Sequence, residues 1–295
     1  MFTRSSWLHL RIPFSYFLLP VFLFSVAISP HVANIRTAWV FFIVHFLLYP
    51  ASNGYNSYFD KDEKSIGGLE NPPPVNKGLY YLSLMFDAAA IVLGYLLVSA
   101  TFAVMLFVYG MVSKAYSHPG IRLKRYPITG WLTVSVFQGF YTFLMCYAGV
   151  NDYGVAEIWK PAVAAPALLS TAMLLGNYPM TQVYQHEEDA KHGDQTISLL
   201  LGIRGTFYFV GGLFAIVTVL FMIYFKTYFT FHLAWIFAVS LSPVVAFFLY
   251  WFTRVYRDPA AANFRNTMRL NFISATCLNA FFTYLVLRTE SFAVY

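Results

Sequence analysis

"FYFVGGLFAIVTVLFMIYF", residues 207–225, carries no charged side chain. Comparable apolar runs recur along the whole chain. A continuous apolar run of about 20 residues matches the hydrocarbon thickness of a bilayer when it is helical. Membrane barrels use alternating segments of about ten residues instead. The chain of 295 residues is 59% hydrophobic and 20% aromatic but only 11% charged. Soluble domains carry about 25% charged residues, so a soluble protein of this composition would lack the polar side chains to cover its surface. The expected fold is all-α: a polytopic membrane protein forming a single domain over residues 1–295.

Nine segments have the length and apolarity of spans, roughly 12–30, 37–58, 79–97, 99–116, 130–150, 160–183, 205–226, 230–252 and 268–288. Turn chemistry and charge mark the breaks: Ser29-Pro30, Pro72-Pro73-Pro74, Pro119-Gly120, Asn151-Asp152, Gly202 and Asp258-Pro259. The third and fourth segments are nearly fused, with their hairpin placed near Val98. The first segment is read as a membrane helix, because it exceeds an ordinary signal-peptide core and no small-residue cleavage site follows it. With nine spans, 15 of the 19 Lys and Arg residues fall on one face. The positive-inside rule puts that face, with the N-terminus, in the cytoplasm. Cys146 and Cys277 lie inside apolar segments, as small core residues, and form no disulfide framework.

On this basic face, two loops gather acids. "NGYNSYFDKDEKSIGG", residues 53–68, ends the second segment. Asn53, Asn56 and Asp60 are spaced i, i+3 and i+7, so they share one side if the helix continues to Asp60. Asp62 and Glu63 extend the group into the loop. "YQHEEDAKHGDQT", residues 184–196, ends the sixth segment with Gln185, Glu187, Glu188, Asp189 and Asp194. Eight of the 13 acids, Glu70 included, belong to these two regions. Hard oxygen donors of this kind suit Mg²⁺, which is commonly held by one or two carboxylates together with substrate phosphates. A third loop on the same face, "YSHPGIRLKR", residues 116–125, offers Arg122, Lys124 and Arg125, the complement of a diphosphate. Against this stands the ordinary role of charges on cytoplasmic loops, where basic residues also set topology. His186 and His192 are six apart and do not share a helix face, unlike the i, i+4 pair of a zinc-binding helix.

These residues resemble the UbiA superfamily of intramembrane prenyltransferases. "NSYFDKD" is similar to the family's N-x-x-x-D-x-x-x-D motif after helix 2, and "HEEDAKHGDQTISLLLG" to its D-x-x-x-D motif after helix 6 with the tail that follows. "YSHPGIRLKR" resembles the basic loop after helix 4, and "ENPPPVNKG", residues 70–78, the loop after the first motif. The likeness covers essentially the whole chain. It implies nine transmembrane helices around a central cavity and a Mg²⁺-dependent transfer of a prenyl group from an isoprenoid diphosphate to an apolar acceptor. The implied partners are the prenyl diphosphate donor, the acceptor and membrane lipid, with no nucleic acid. Asp60 and Asp189 are the implied principal metal ligands, with Asn56, Asp62 and Gln185 as further ligands or diphosphate contacts. Arg122 and Lys124 would clamp the diphosphate, Tyr116 would line the site, and Arg11 is a weaker candidate.

The chain departs from the family at several motif positions. Lys64 stands where the first motif ends in an acid, and Gln185 where the second begins with one. Lys64, if it points inward, would contact diphosphate directly. Tyr55, Phe59, Phe137 and Phe140 are the aromatic side chains placed to face a developing cation. Asp87, within the third segment, is expected to be structural and paired. Gln138 and Asn177 are expected to reach the cavity, and Asn271 and Asn279 to bond between helices. The competing reading is a divergent member that binds or transports lipid without catalysis; the missing acids motivate it, and the lack of a visible inverted repeat counts against transport.

Overall fold

The computed structural model describes residues 3–30 and 35–289. Nine long helices run through these residues: α1 (Arg4–Ala27), α2 (Ile35–Asp60), α3 (Lys77–Leu97), α4 (Ala100–Ser117), α5 (Pro127–Asn151), α6 (Pro161–Asn177), α7 (Ile197–Tyr228), α8 (Phe231–Arg257) and α9 (Phe264–Arg288). Eight of them are long and apolar enough to cross a membrane. The exception is α6. Its expected span of 160–183 divides into 17 helical residues and a 3₁₀ turn, Tyr178–Thr181, where Pro179 withholds an amide.

Other boundaries also shift. The first helix begins at Arg4 rather than near residue 12. It is broken at Arg11, which adopts a left-handed conformation (φ 48°), and continues as a 3₁₀ stretch, Ile12–Leu18, whose second residue is Pro13. The seventh begins at Ile197 rather than 205, capped by the Thr196 hydroxyl, and kinks at Gly202 (φ 68°). The hairpin between α3 and α4 falls at Val98 and Ser99, as expected.

Consecutive helices pack side by side, and α9 packs back against α1, so the bundle closes into a ring. An aromatic core fills one end: Phe24 stacks on Phe282 at 4.6 Å and packs edge-on to Phe143, while Phe221 stacks on Phe237 at 4.8 Å. Lipid tails are as apolar as these rings, so burial alone does not hold the helices together; close packing and hydrogen bonds between helices do.

Two π turns flank the interior, Ile43–Leu48 in α2 and Phe137–Tyr141 in α5. The first ends two residues before Pro50, whose ring cannot fit a regular α ladder. In the second, the Phe140 amide donates to Thr171 Oγ1 of α6 at 2.9 Å, so the freed backbone group is satisfied by the neighbouring helix. Gly139 makes this approach possible: a Cβ there would lie 2.6 Å from the Thr171 backbone.

α2 does continue to Asp60 and ends when Lys61 turns left-handed (φ 53°, ψ 37°), with its amide returning to the Ser57 carbonyl. Asn53, Asn56 and Asp60 therefore share one face.

Gly139→Ala is expected to lower stability by about 1–3 kcal/mol, the usual penalty for overpacking. It should appear as a lower melting temperature of the detergent-solubilised protein. An unchanged melting temperature would contradict the close contact between α5 and α6.

Candidate active site

Where the polar loops meet the ring there is a cavity of about 260 Å³. Asp60, at the end of α2, and Asp189, on the short helix His186–His192 after α6, both line it. The ends of the second and sixth helices therefore converge on one space. Asn56, Asp62 and Gln185 line the same cavity, as do Lys124 and Tyr116.

The basic loop between α4 and α5 is locked to these acids. Arg122 grips Asp194 with two parallel bonds, Nε to Oδ1 at 2.7 Å and Nη2 to Oδ2 at 2.9 Å. Its Nη2 also lies 3.5 Å from Asp60 Oδ1. Lys124 Nζ bridges Asp60 Oδ2 at 2.5 Å and Asp194 Oδ2 at 3.4 Å. Asp60 and Asp194 are buried, as is Arg122, and two cations against two carboxylates leave the group neutral. The Gln195 amide adds a backbone bond to the Arg125 carbonyl at 3.1 Å. Arg125 itself is exposed.

Several expected site residues stand elsewhere or have other partners. Lys64 does not point inward: its ammonium is exposed and pairs with Glu187, because a solvated ion pair is available at the loop surface. Arg122 is committed to Asp194 and is not part of the cavity wall. The Asn56 side-chain amide donates to Ser117 Oγ at 2.9 Å, which leaves its carbonyl oxygen for the cavity. Tyr116 and Tyr178 share a hydrogen bond between their hydroxyls. Arg11 lines the cavity and donates to the carbonyls of Gly67 (3.0 Å) and Asn53 (3.3 Å).

Of the four aromatic residues proposed to face a cation, Phe137 lines the cavity. Tyr55 instead sits under the Lys114 ammonium, Phe59 packs on His118, and Phe140 on Trp159. Tyr49, Tyr109, Tyr178 and Tyr184, with Phe14 and Phe17, add aromatic walls that the sequence did not single out. Asp87 is paired with Lys114, and Gln138 and Asn177 reach the cavity, as expected. Asn271 reaches it too, whereas Asn279 donates to the Tyr16 carbonyl.

The donor set fits a divalent cation. Asp60, Asp62 and Asp189 offer carboxylate oxygens to one space, Asn56 and Gln185 offer amide oxygens, and Asp60 Oδ1 is buried without a hydrogen bond. Burial pushes the Asp189 carboxyl up to about 7, opposed by the Thr196 hydroxyl and Lys124. Burial and the charge of Asp60 push Asp62 up to about 6.

Two outcomes follow from this electrostatics. An acid with a raised native pKa keeps its proton until that pH, and an incoming cation must displace it. Cation affinity is expected to rise as pH passes through 6 and 7 and to level off above. In the ion-free protein the raised value has the opposite effect: the stabilisation from native-state protonation is present at low pH and is lost as pH rises through about 7. Calorimetric titration with Mg²⁺ at stepped pH checks the first statement, and a flat profile refutes it. Separately, Asp194→Asn leaves Arg122 buried without its carboxylate and is expected to destabilise the protein by about 3–5 kcal/mol. The double variant Arg122→Met/Asp194→Leu is expected to recover much of that loss. A single variant that melts with the wild type would rule out the buried pair as a structural element.

No curated protein matches this sequence. Solved structures do share its fold. A UbiA homologue from Aeropyrum pernix K1, without ligand, superposes with a TM-score of 0.70 at 16% identity, covering 92% of this chain and 97% of its own. A UbiA homologue from Archaeoglobus fulgidus bound to GPP and Mg²⁺ gives 0.63 at 17%, covering 95% and 99%. A structure described under digeranylgeranylglyceryl phosphate synthase gives 0.58 at 18%, covering 95% and 98%. The UbiA prenyltransferase family model matches residues 17–274. With most of its length matched in sequence and its helices arranged as in these structures, the chain is an integral multi-pass membrane protein that belongs to the UbiA prenyltransferase family.

Proposed function

We propose that this protein transfers a prenyl group from an isoprenoid diphosphate to an apolar acceptor, aromatic or lipid, with a divalent cation such as Mg²⁺. The observation that carries this reading is the convergence of Asp60, Asp189 and Lys124 on one cavity from three separate segments of the chain. The A. fulgidus homologue, with GPP and Mg²⁺ bound, supports the donor class. Asp60 and Asp189 would hold the cation, with the side-chain oxygens of Asn56 and Gln185 as neutral donors. When bound, it supplies Lewis-acid stabilisation of the departing diphosphate.

The chain's own residues do the rest. Lys124, already poised between two carboxylates, turns one or more N–H donors to the diphosphate as charge develops on it. Arg122 fixes the loop that carries Lys124, through its bidentate grip on Asp194. The aromatic faces of Phe137, Tyr49 and Tyr109 line the space in which the allylic carbon becomes cationic. An enclosed site keeps water from capturing that carbon before the acceptor does. The bond to diphosphate breaks with its electron pair leaving on the diphosphate, the acceptor's attack then forms the new bond to that carbon, and the acceptor releases a proton. By the positive-inside rule, the site loops and the N-terminus face the cytoplasm.

Lipid binding without catalysis is the second reading, favoured by the neutralisation of Asp60 in an ion cluster and by Gln185 in place of an acid. Purified protein incubated with radiolabelled prenyl diphosphates, Mg²⁺ and a membrane extract separates the two. Transfer yields labelled lipid and free diphosphate. Lys124→Met is expected to lower kcat/KM by about 10²-fold or more, as for loss of one oxyanion donor. Wild-type protein that yields neither product supports the non-catalytic reading.

A further inference from the structure

Beside the Asp60–Asp189 pair lies a second group of donors with different chemistry. Ligand atoms of Asp62, Glu188 and His192 all lie within 4.8 Å of one another. His192 Nδ1 is 3.7 Å from Asp62 Oδ1. Glu188 is only 6% exposed, and its Oε2 is buried with no hydrogen-bond partner. A buried, unpartnered carboxylate oxygen is unfavourable unless something cationic meets it. The nearby cations are engaged elsewhere: Lys124 bridges Asp60 and Asp194, Lys191 pairs with Glu63, and Lys64 pairs with Glu187. His186 is turned away, bonded to Ser198 Oγ at 2.8 Å.

We propose that Asp62, Glu188 and His192 form a second divalent-cation site, beside the one formed by Asp60 and Asp189 and bordering it at Asp62. Two carboxylates and one imidazole are a mixed oxygen–nitrogen set. Imidazole favours borderline first-row ions, whereas Mg²⁺ selects oxygen donors in near-ideal octahedral geometry. The expected occupant is Zn²⁺ or another borderline first-row ion rather than Mg²⁺, with Mn²⁺ as its paramagnetic probe. The exposed pairs Lys191–Glu63 and Lys64–Glu187 hold the loop after α2 against the short helix and so set Asp62 opposite His192. Asp62 and His192 also line the main cavity, so an ion here would add positive charge at its wall.

The test uses the full-length protein in detergent, with any purification tag removed and the metals stripped, and adds MnCl₂ alone. Pulsed electron paramagnetic resonance is expected to show a bound ion with nitrogen coupling from an imidazole. His192→Ala should abolish that coupling, and Glu188→Gln should weaken binding by about tenfold or more. Asp189→Asn should leave the nitrogen-coupled signal in place, and equimolar Mg²⁺ should not displace it. Melting curves in chelator show whether each variant is folded; if His192→Ala is not, His192→Gln and Asp62→Asn carry the same readout. The proposal is overturned by a wild-type signal without nitrogen coupling, by coupling that survives His192→Ala, or by Glu188→Gln binding Mn²⁺ as the wild type does. Loss of the signal in Asp189→Asn would also overturn it, by assigning the ion to the Asp60–Asp189 pair. The measurement needs no prenyl substrate, so its result is independent of whether transfer occurs.

Discussion

The buried cluster of Asp60, Asp194, Arg122 and Lys124 is the interaction on which the rest of the site depends. It joins the end of α2, the loop after α4 and the segment after the short helix His186–His192. Burying any one of these charges alone would be strongly unfavourable, so the four are stable only as a set. Mutual neutralisation lets them lie beside an apolar bundle, and the bidentate geometry of Arg122 fixes the loops in register. Lys124 is thereby carried to the cavity wall. The same basic residues thus build the mouth of the cavity and supply its cation.

The cavity wall also depends on helices that are not regular. In a membrane, irregular backbone is tolerated where protein or a cavity can satisfy it. The π turns of α2 and α5 follow that rule. Tyr49 comes directly after one, and Phe137 and Gln138 lie within the other. Each π turn shifts the helix face that follows, so polar and aromatic side chains reach the interior from positions a regular helix would turn elsewhere. Thr171 of α6 receives the amide freed in α5, and Gly139 allows the contact.

The loop after α2 and the short helix are paired as a ladder, Asp62 with His192, Glu63 with Lys191 and Lys64 with Glu187. The two exposed pairs, Glu63–Lys191 and Lys64–Glu187, contribute about 0–1 kcal/mol each, so their effect is register more than stability. The ladder also accounts for the departure at Lys64. Where the family motif carries an acid, this chain has a base that meets Glu187 at the surface. The acids left facing inward are Asp60 and Asp62 on one side and Glu188, Asp189 and Asp194 on the other.

The sequence by itself determined the all-helical membrane fold, most of the spans, and the faces on which the site residues fall. Apolar runs and helical spacing are local properties, and both bilayer thickness and the period of the helix are fixed. Asn53, Asn56 and Asp60 could be placed together because one uninterrupted helix carries them. Only the tertiary structure decided that Arg122 would take Asp194, 72 residues away, as its partner, and that Lys64 would turn outward. Either cation had several acids within plausible reach, and the choice rests on burial, which no local pattern encodes. The same holds for the aromatic wall. Among 31 Phe and 22 Tyr residues, those facing lipid and those facing the cavity have the same composition, and only the packing of neighbouring helices tells Tyr49, Tyr109, Tyr178 and Tyr184 apart from the rest.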